Sequence, residues 1–256
     1  MRGFDYQPPA PLNGLCAIGD SNTHMGYMGL PEQCRLCNGL ADNYSSRYTQ
    51  LLATSSGWRI LNYGQNGRMT RDYLGTGIGV FDWPNGEIPA AWLAARAKYY
   101  LCCFGLNDAA GGGVSEAVFK QNTRDLISVI EDAGSIPLLM TNVSVYYTAN
   151  LGVSWYSFDR NPTIDSYDDQ YRNLNAEIGV RLIDVNAAFK ADIALGNYDH
   201  RIRSDGVTFT AVNDSSHTGD PEWANWHTNI HYNQLGAAIV ANTIQTYITA
   251  NGLTPT

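Results

Sequence analysis

Charge is scarce in this sequence: Asp, Glu, Lys and Arg make up 16% of its 256 residues, against 44% hydrophobic residues. So large an apolar share excludes a disordered chain and calls for a surface that is polar without being strongly ionic. Basic residues are the scarcer sign, 16 against 24 acidic ones, and the net charge of -8 with a pI near 5.0 argues against nucleic acid or an anionic membrane surface as a partner. No run of about 18 apolar residues that could insert into a bilayer is present. The first eleven residues, Met-Arg-Gly-Phe-Asp-Tyr-Gln-Pro-Pro-Ala-Pro, lack the apolar core of a secretory leader.

Cysteine is sparse as well. The five are Cys16, Cys34, Cys37, Cys102 and Cys103, and the odd number leaves the redox compartment open. Cys16, Cys102 and Cys103 lie in apolar, strand-like runs and read as inert core thiols. Cys34-Arg-Leu-Cys37 could close a small disulfide or supply half of a zinc site, but no second Cys pair or His-x3-His completes four ligands, so no metal is expected. A structural repeat and a charge-run linker are also missing. The length is that of one large domain, assigned to residues 14–256 and preceded by a Pro-rich extended linker over 1–13, the kind of start found in a domain of a longer multidomain protein. Few lysines and a neutral polar surface lean toward an extracellular or particle-displayed setting.

What is abundant is glycine (25), tyrosine (16) and tryptophan (6), a mixture that both fills cores and stacks on neutral polar ligands such as sugars. Five short apolar runs read as strands: 15–18, 58–63, 99–104, 136–145 and 181–185. Between and after them, periodic apolar residues predict helices over 40–53, 88–96, 115–133, 164–178, 187–195 and 233–250, with Ser115 as N-cap and Gly134 as C-cap of the third. Strand and helix alternate, which predicts an α/β fold with a parallel sheet covered on both faces. Two long irregular segments, 146–163 and 196–228, interrupt the pattern, and loops of that length are usually functional or disordered.

Gly19-Asp20-Ser21 follows the first strand. Gly67 follows the second in Asn62-Tyr-Gly-Gln-Asn-Gly67, and Asn107 follows the third in Gly105-Leu-Asn-Asp108. Parallel geometry brings the carboxyl ends of strands to one rim, where ligands of open α/β sheets collect. A serine hydroxyl needs a base to take its proton, and five histidines are available. His24 is close to Ser21 and can simply line the pocket, whereas His200, His217 and His227 fall in the irregular segment. His231, in Ile230-His-Tyr-Asn-Gln-Leu-Gly236 just before the last helix, can reach the same rim and is the candidate base. The N–H groups of Ser21 and Gly67 and the Asn107 carboxamide are suited to hold an oxyanion. Asp20 and Asp108 read as braces of their turns rather than as the acid.

In order and spacing, Gly19-Asp-Ser21, Gly67, Gly105-Leu-Asn-Asp108 and the late His231 resemble the four sequence blocks of the SGNH (GDSL-type) hydrolases, over roughly residues 14–250. The resemblance implies a three-layer α/β/α, flavodoxin-like fold, Ser21 as nucleophile, His231 as base, and Ser21, Gly67 and Asn107 as the oxyanion hole. It also implies no metal or organic cofactor and ester substrates ranging from lipids to acetylated sugars. One position departs from the family: three residues before the histidine, where an aspartate is usual, stands Thr228. Asp214, Asp220 or Glu222 could substitute, a backbone carbonyl could hold the ring in a Ser-His dyad, or the site could be weakened. The expectation is a serine acetylesterase acting on a glycan or other small ester, with Trp155, Tyr156, Phe158, Trp223 and Trp226 in the long loops as stacking rings. A lipase or thioesterase of the same fold, or a catalytically weakened carbohydrate-binding domain, are the alternatives.

Overall fold

The computed structural model describes residues 12–24, 47–65, 67–75, 92–110, 113–143, 161–198, 232 and 234–255. The strands β1 (Leu12–Gly19), β2 (Ile60–Asn62), β3 (Ala97–Cys103), β4 (Ile136–Met140) and β5 (Arg181–Ile183) form one sheet in the order β2-β1-β3-β4-β5. All its pairings are parallel. The helices among the described residues are α1 (Ser21–His24), α2 (Tyr48–Ser56), α3 (Thr70–Tyr73), α4 (Leu106–Ala110), α5 (Glu116–Asp132), α6 (Asn161–Ile178), α7 (Val185–Ala194) and α8 (Gln234–Ala250).

Side chains of a strand point alternately to its two faces, so a sheet buried on both sides needs runs that are apolar throughout. In β1 and β3, Leu15, Ala17, Tyr99, Leu101 and Cys103 pack on one face with Tyr48 and Leu52 of α2, Phe189 of α7, and Val240 and Ile244 of α8. Cys16, Ile18, Tyr100 and Cys102 pack on the other with Tyr73 of α3, Phe119 and Ile130 of α5, and Tyr171 and Leu174 of α6. The result is the expected three-layer α/β/α arrangement with a flavodoxin-like strand order, whose reversal point lies between β1 and β3. Cys16, Cys102 and Cys103 are buried free thiols whose ionisation burial pushes up.

Several elements depart from their expected bounds for local reasons. β4 stops at Met140, not 145, because the Asn142 N–H turns away to the Asp168 carboxylate, 2.9 Å off, instead of continuing the ladder to β5. β5 stops at Ile183 because Asp184 accepts from the Ala187 N–H and caps α7. β2 is confined to Ile60–Asn62, while Trp58 stacks on the Tyr99 ring at 5.4 Å. α2 ends at Ser56, with Gly57 left-handed at φ 69°, and α6 starts at Asn161 rather than 164. Ser115 does cap α5, accepting from the Val118 N–H, and Gly134 follows its cap residue Ala133 at φ 74°. Ser21 and Asn107, expected on turns, instead sit in the short helices α1 and α4. Of the helix expected over 88–96, residues 88–91 lie outside the described residues, as do residues 1–11 of the linker expected over 1–13, whose last two residues, Leu12 and Asn13, instead open β1, and nearly all of the two long loops.

The turn from β1 into α1 is the tightest passage in the sheet's upper edge. A Cβ on Gly19 would lie 2.5 Å from the Cys103 carbonyl oxygen of the neighbouring strand and 2.3 Å from the Thr23 hydroxyl. Backbone cannot yield cheaply, so Gly19→Ala is expected to cost about 1–3 kcal/mol, the range for overpacking. Thermal or chemical denaturation measures that loss.

Candidate active site

Ser21 begins α1 directly beyond the end of β1, and only 3% of its surface is exposed. Asp20 sets this turn: its Oδ1 accepts from the Asn22 N–H at 2.9 Å and its carbonyl from the Thr23 N–H at 3.1 Å. The Asp20 carboxyl is buried, and burial pushes its pKa up to about 7 against the lowering effect of the Asn22 N–H, with nearby Asp108 adding to the rise. Through these contacts it braces the serine turn.

The segment beyond β2 is laced to the same edge. The Gln65 N–H donates to the Gly19 carbonyl at 2.9 Å, and the Tyr73 hydroxyl lies between that carbonyl, 3.0 Å away, and the Tyr63 carbonyl. Asn62 Nδ2 donates to the Thr23 carbonyl at 2.7 Å, fastening α1 to β2. Gly67 follows at φ 72°, a conformation that costs an L-residue but not glycine.

The third segment joins the second through two contacts. Asn107 Nδ2 donates to the Arg68 carbonyl at 3.1 Å, and Asp108 accepts from the Thr70 hydroxyl at 2.7 Å and from the Thr70 N–H at 3.4 Å. Asn122 Nδ2 of α5 in turn donates to the Thr70 hydroxyl at 3.3 Å. Burial raises the Asp108 pKa to about 6, against the lowering effect of the Thr70 donors. The structure thus brings Ser21, Gly67 and Asn107 to the carboxyl ends of three adjacent strands, in register through Ala17 opposite Asn62 and Gly19 opposite Cys103.

His231, Thr228, Asp214, Asp220 and Glu222 lie outside the described residues, as do His200, His217, His227 and the five loop aromatics. His24 closes α1, but its side chain is likewise outside them. The residue after His231 is described: Tyr232 is buried, and its hydroxyl donates to the Asn22 carbonyl, one residue past Ser21, at 2.7 Å. Among the described residues no group of His, Cys, Asp or Glu could hold a metal ion, and no helix is long and apolar enough to cross a membrane.

Sequence reading missed Thr70, Asn142, Asp168 and Tyr232. Asp168 left a signal, since it falls at helical spacing among the buried Ile164, Tyr171 and Leu174, where a carboxylate is out of place. Thr70, at the start of the short helix α3, and Asn142 and Tyr232, outside regular elements, have nothing local to mark them.

Compared with known families, the sequence matches the GDSL-like Lipase/Acylhydrolase family over residues 17–239. No curated protein sequence matches. Among solved structures, the chain is similar to Axe2, an acetylxylan esterase from Geobacillus stearothermophilus, with a TM-score of 0.61 and 15% identity over 97% of this chain and 98% of that one. It is also similar to LAE5, an alpha/beta hydrolase from the metagenome of Lake Arreo, Spain, with a TM-score of 0.60 and 20% identity over 96% and 98% of the two chains. A member of the lipolytic protein G-D-S-L family from Veillonella parvula aligns with a TM-score of 0.55 and 13% identity over 92% and 97%. At these identities the likeness is one of fold.

Thr70 is the post between two of the three segments. Thr70→Val removes the hydroxyl that donates to Asp108 and leaves a buried carboxyl short of a partner, a loss of about 1–3 kcal/mol. Denaturation curves should show that loss.

Proposed function

This chain belongs to the GDSL-like lipase/acylhydrolase family, and from that premise we propose that it is a serine esterase removing an acetyl group from a carbohydrate. Membership makes it a carboxylic ester hydrolase; the sugar and the acyl group are what the proposal adds. What carries the reading is the hydrogen-bonded rim around Ser21, in which the Gly67 and Asn107 segments are tied to the serine turn and to each other. Such a rim is preorganised, and preorganised donors do not have to reorient when charge develops.

In this mechanism Ser21 Oγ attacks the ester carbonyl while His231 takes its proton. The negative charge on the tetrahedral oxygen is met by the N–H groups of Ser21 and Gly67 and by the second N–H of the Asn107 carboxamide, the first being directed at Arg68. Collapse releases the sugar alcohol, which takes the proton from His231. Water, activated by the same imidazole, then frees acetate and restores Ser21. His231 as the base is supported by its neighbour Tyr232, whose bond to Asn22 ties that end of the chain to the serine turn. Its orienting partner is Thr228, one of Asp214, Asp220 and Glu222, or a backbone carbonyl. A carbohydrate substrate is supported by the loop aromatics Trp155, Tyr156, Phe158, Trp223 and Trp226 as stacking surfaces, and is in keeping with the likeness to an acetylxylan esterase.

Ser21→Ala should abolish hydrolysis of p-nitrophenyl acetate, and His231→Ala should remove nearly all of it, whereas His24→Ala and His227→Ala lose far less. Equal losses at the three histidines would assign the base elsewhere. Among p-nitrophenyl esters, acetate is expected to be the preferred acid by kcat/KM, with octanoate poorly cleaved. A preference for octanoate would replace the acetylesterase reading with that of a lipase or thioesterase.

A further inference from the structure

Beneath the Asn107 segment, on the side away from Gly67, lies a buried polar cluster that the mechanism does not use. Asp168 and Tyr171 project from α6 one turn apart, and both are fully buried. Asn142, at the end of β4, is 2% exposed. Its Nδ2 donates to the Phe104 carbonyl at 2.8 Å and to Asp168 Oδ1 at 2.8 Å, and its backbone N–H donates to the same Oδ1 at 2.9 Å. The other side of the Phe104 residue is gripped directly, its N–H donating to the Tyr171 hydroxyl at 3.0 Å. Gly105, at φ 117°, runs so close over this cluster that a Cβ there would sit 3.0 Å from Asn142 Nδ2. Both hydrogen-bonding groups of Phe104 are therefore fixed by side chains, three residues before Asn107.

The bonding in this cluster is incomplete in an informative way. Asp168 Oδ2 and Asn142 Oδ1 are both buried and have no hydrogen-bond partner among the described residues. As two acceptors they would each carry the cost of an unsatisfied buried group, and an ionised carboxylate here would add the cost of a charge out of water. A single proton on Asp168 Oδ2 removes the charge and supplies a donor, with Asn142 Oδ1 as the acceptor left over on its partner. We propose that Asn142 and an uncharged Asp168 form an acid–amide pair that, with Tyr171, positions the Phe104–Asn107 segment and thereby aims the Asn107 donor at the oxyanion.

Asp168 is a positioning residue here, acting through Asn142, and the inference rests on Asn107 being an oxyanion donor. The groups around it favour the neutral form on balance. Burial raises its pKa to about 7, above the lowering effects of the two Asn142 donors and of Arg172 on the same helix, while Asp184 at the head of α7 adds to the rise. Arg172 is itself engaged by Asp184 at 2.9 Å and by Asp169 at 2.7 Å. The Cys103 thiol of β3, which also feels Asp168, is held neutral by burial.

The test is a double-mutant cycle on p-nitrophenyl acetate hydrolysis, with Asn107→Ala as its reference, expected to lose about 10²–10³ in kcat. Asn142→Leu should lower kcat by about ten- to a hundredfold with little change in KM, the size of effect a small misplacement produces. In the Asn107→Ala background the same change should cost almost nothing, because the pair acts through Asn107. Asp168→Asn keeps the acceptor oxygen, cannot ionise, and should retain kcat within about threefold. An Asn142→Leu loss that is undiminished in the Asn107→Ala background overturns the positioning role, and an Asp168→Asn loss as large as that of Asn142→Leu overturns the uncharged pair. If Asn107→Ala itself left kcat intact, the oxyanion reading would fail, and the aiming role with it. That result is distinct from a full Asn107 effect with no effect at Asn142, which sinks the present inference alone.

Stability supplies an independent readout should Asn142→Leu not fold. Between about pH 4 and pH 7 the native state keeps the Asp168 proton that the unfolded chain has released, so this group's contribution to stability falls as pH rises across that window and is lost above it. Asp168→Asn does not titrate. Its melting temperature relative to the unaltered protein should therefore rise between about pH 5 and about pH 8, and a difference that stays constant would overturn the uncharged pair.

Discussion

The carbonyl oxygen of Gly19 is the point on which the rim depends. It accepts from Gln65 N–H and receives the Tyr73 hydroxyl, so the segment leading from β2 to Gly67 is hung from the last residue of β1. On the opposite side the same residue faces the Cys103 carbonyl of β3 with no room for a side chain. Three adjacent strand ends are thus held by one glycine, and the serine turn begins from it. The constraint follows from the parallel sheet, because a sheet buried on both faces leaves the polar backbone at its carboxyl edge without solvent on either side and every group there must find a partner. Satisfying those groups and immobilising the active-site segments are the same act.

That economy is purchased with buried acid. Asp20, Asp108 and Asp168 are all buried near this edge, and burial raises all three into the range of about 6 to 7. Each braces a different joint: Asp20 the serine turn, Asp108 the link between the Gly67 and Asn107 segments, and Asp168 the support beneath Phe104. Apolar residues of similar volume would give a more stable edge, but they could not hold backbone N–H groups in fixed directions. The stability given up is local and sits where catalysis requires geometry to be fixed in advance.

Much of this was legible in the sequence. Unbroken apolar runs such as Tyr99–Phe104 announce strands buried on both faces, and their alternation with periodic helices announces a parallel sheet. Glycine, serine and asparagine at the strand ends then mark the rim, since parallel strands leave all such ends on one side. Strand order was not legible, because pairing depends on crossovers whose lengths do not distinguish a neighbour from a strand one further away. Nor were the early end of β4 and the short helices α1 and α4. Each is set by a hydrogen bond to a side chain distant in sequence or by a turn too short to show periodicity: Asn142 leaves the ladder for Asp168, 26 residues on. Tyr232 was invisible for the same reason, its partner Asn22 lying 210 residues earlier.

These contacts also separate the two halves of the proposed chemistry. The oxyanion side is built into the sheet, since its segments are bonded to β1, β3 and α6 through Gly19, Thr70, Phe104 and Asn142. The three buried carboxyls each brace a backbone or side-chain donor of this edge: Asp20 the Asn22 N–H, Asp108 the Thr70 hydroxyl and Asp168 the Asn142 donors. At the other end of the chain, a described contact that ties the region of the proposed base to the serine turn is Tyr232 to Asn22. A threonine in the place usual for the acid is consistent with this division. When the donors for the oxyanion are fixed by the scaffold, a large share of the rate enhancement does not depend on the carboxylate, and the histidine needs chiefly to be held in the right tautomer within reach of Ser21.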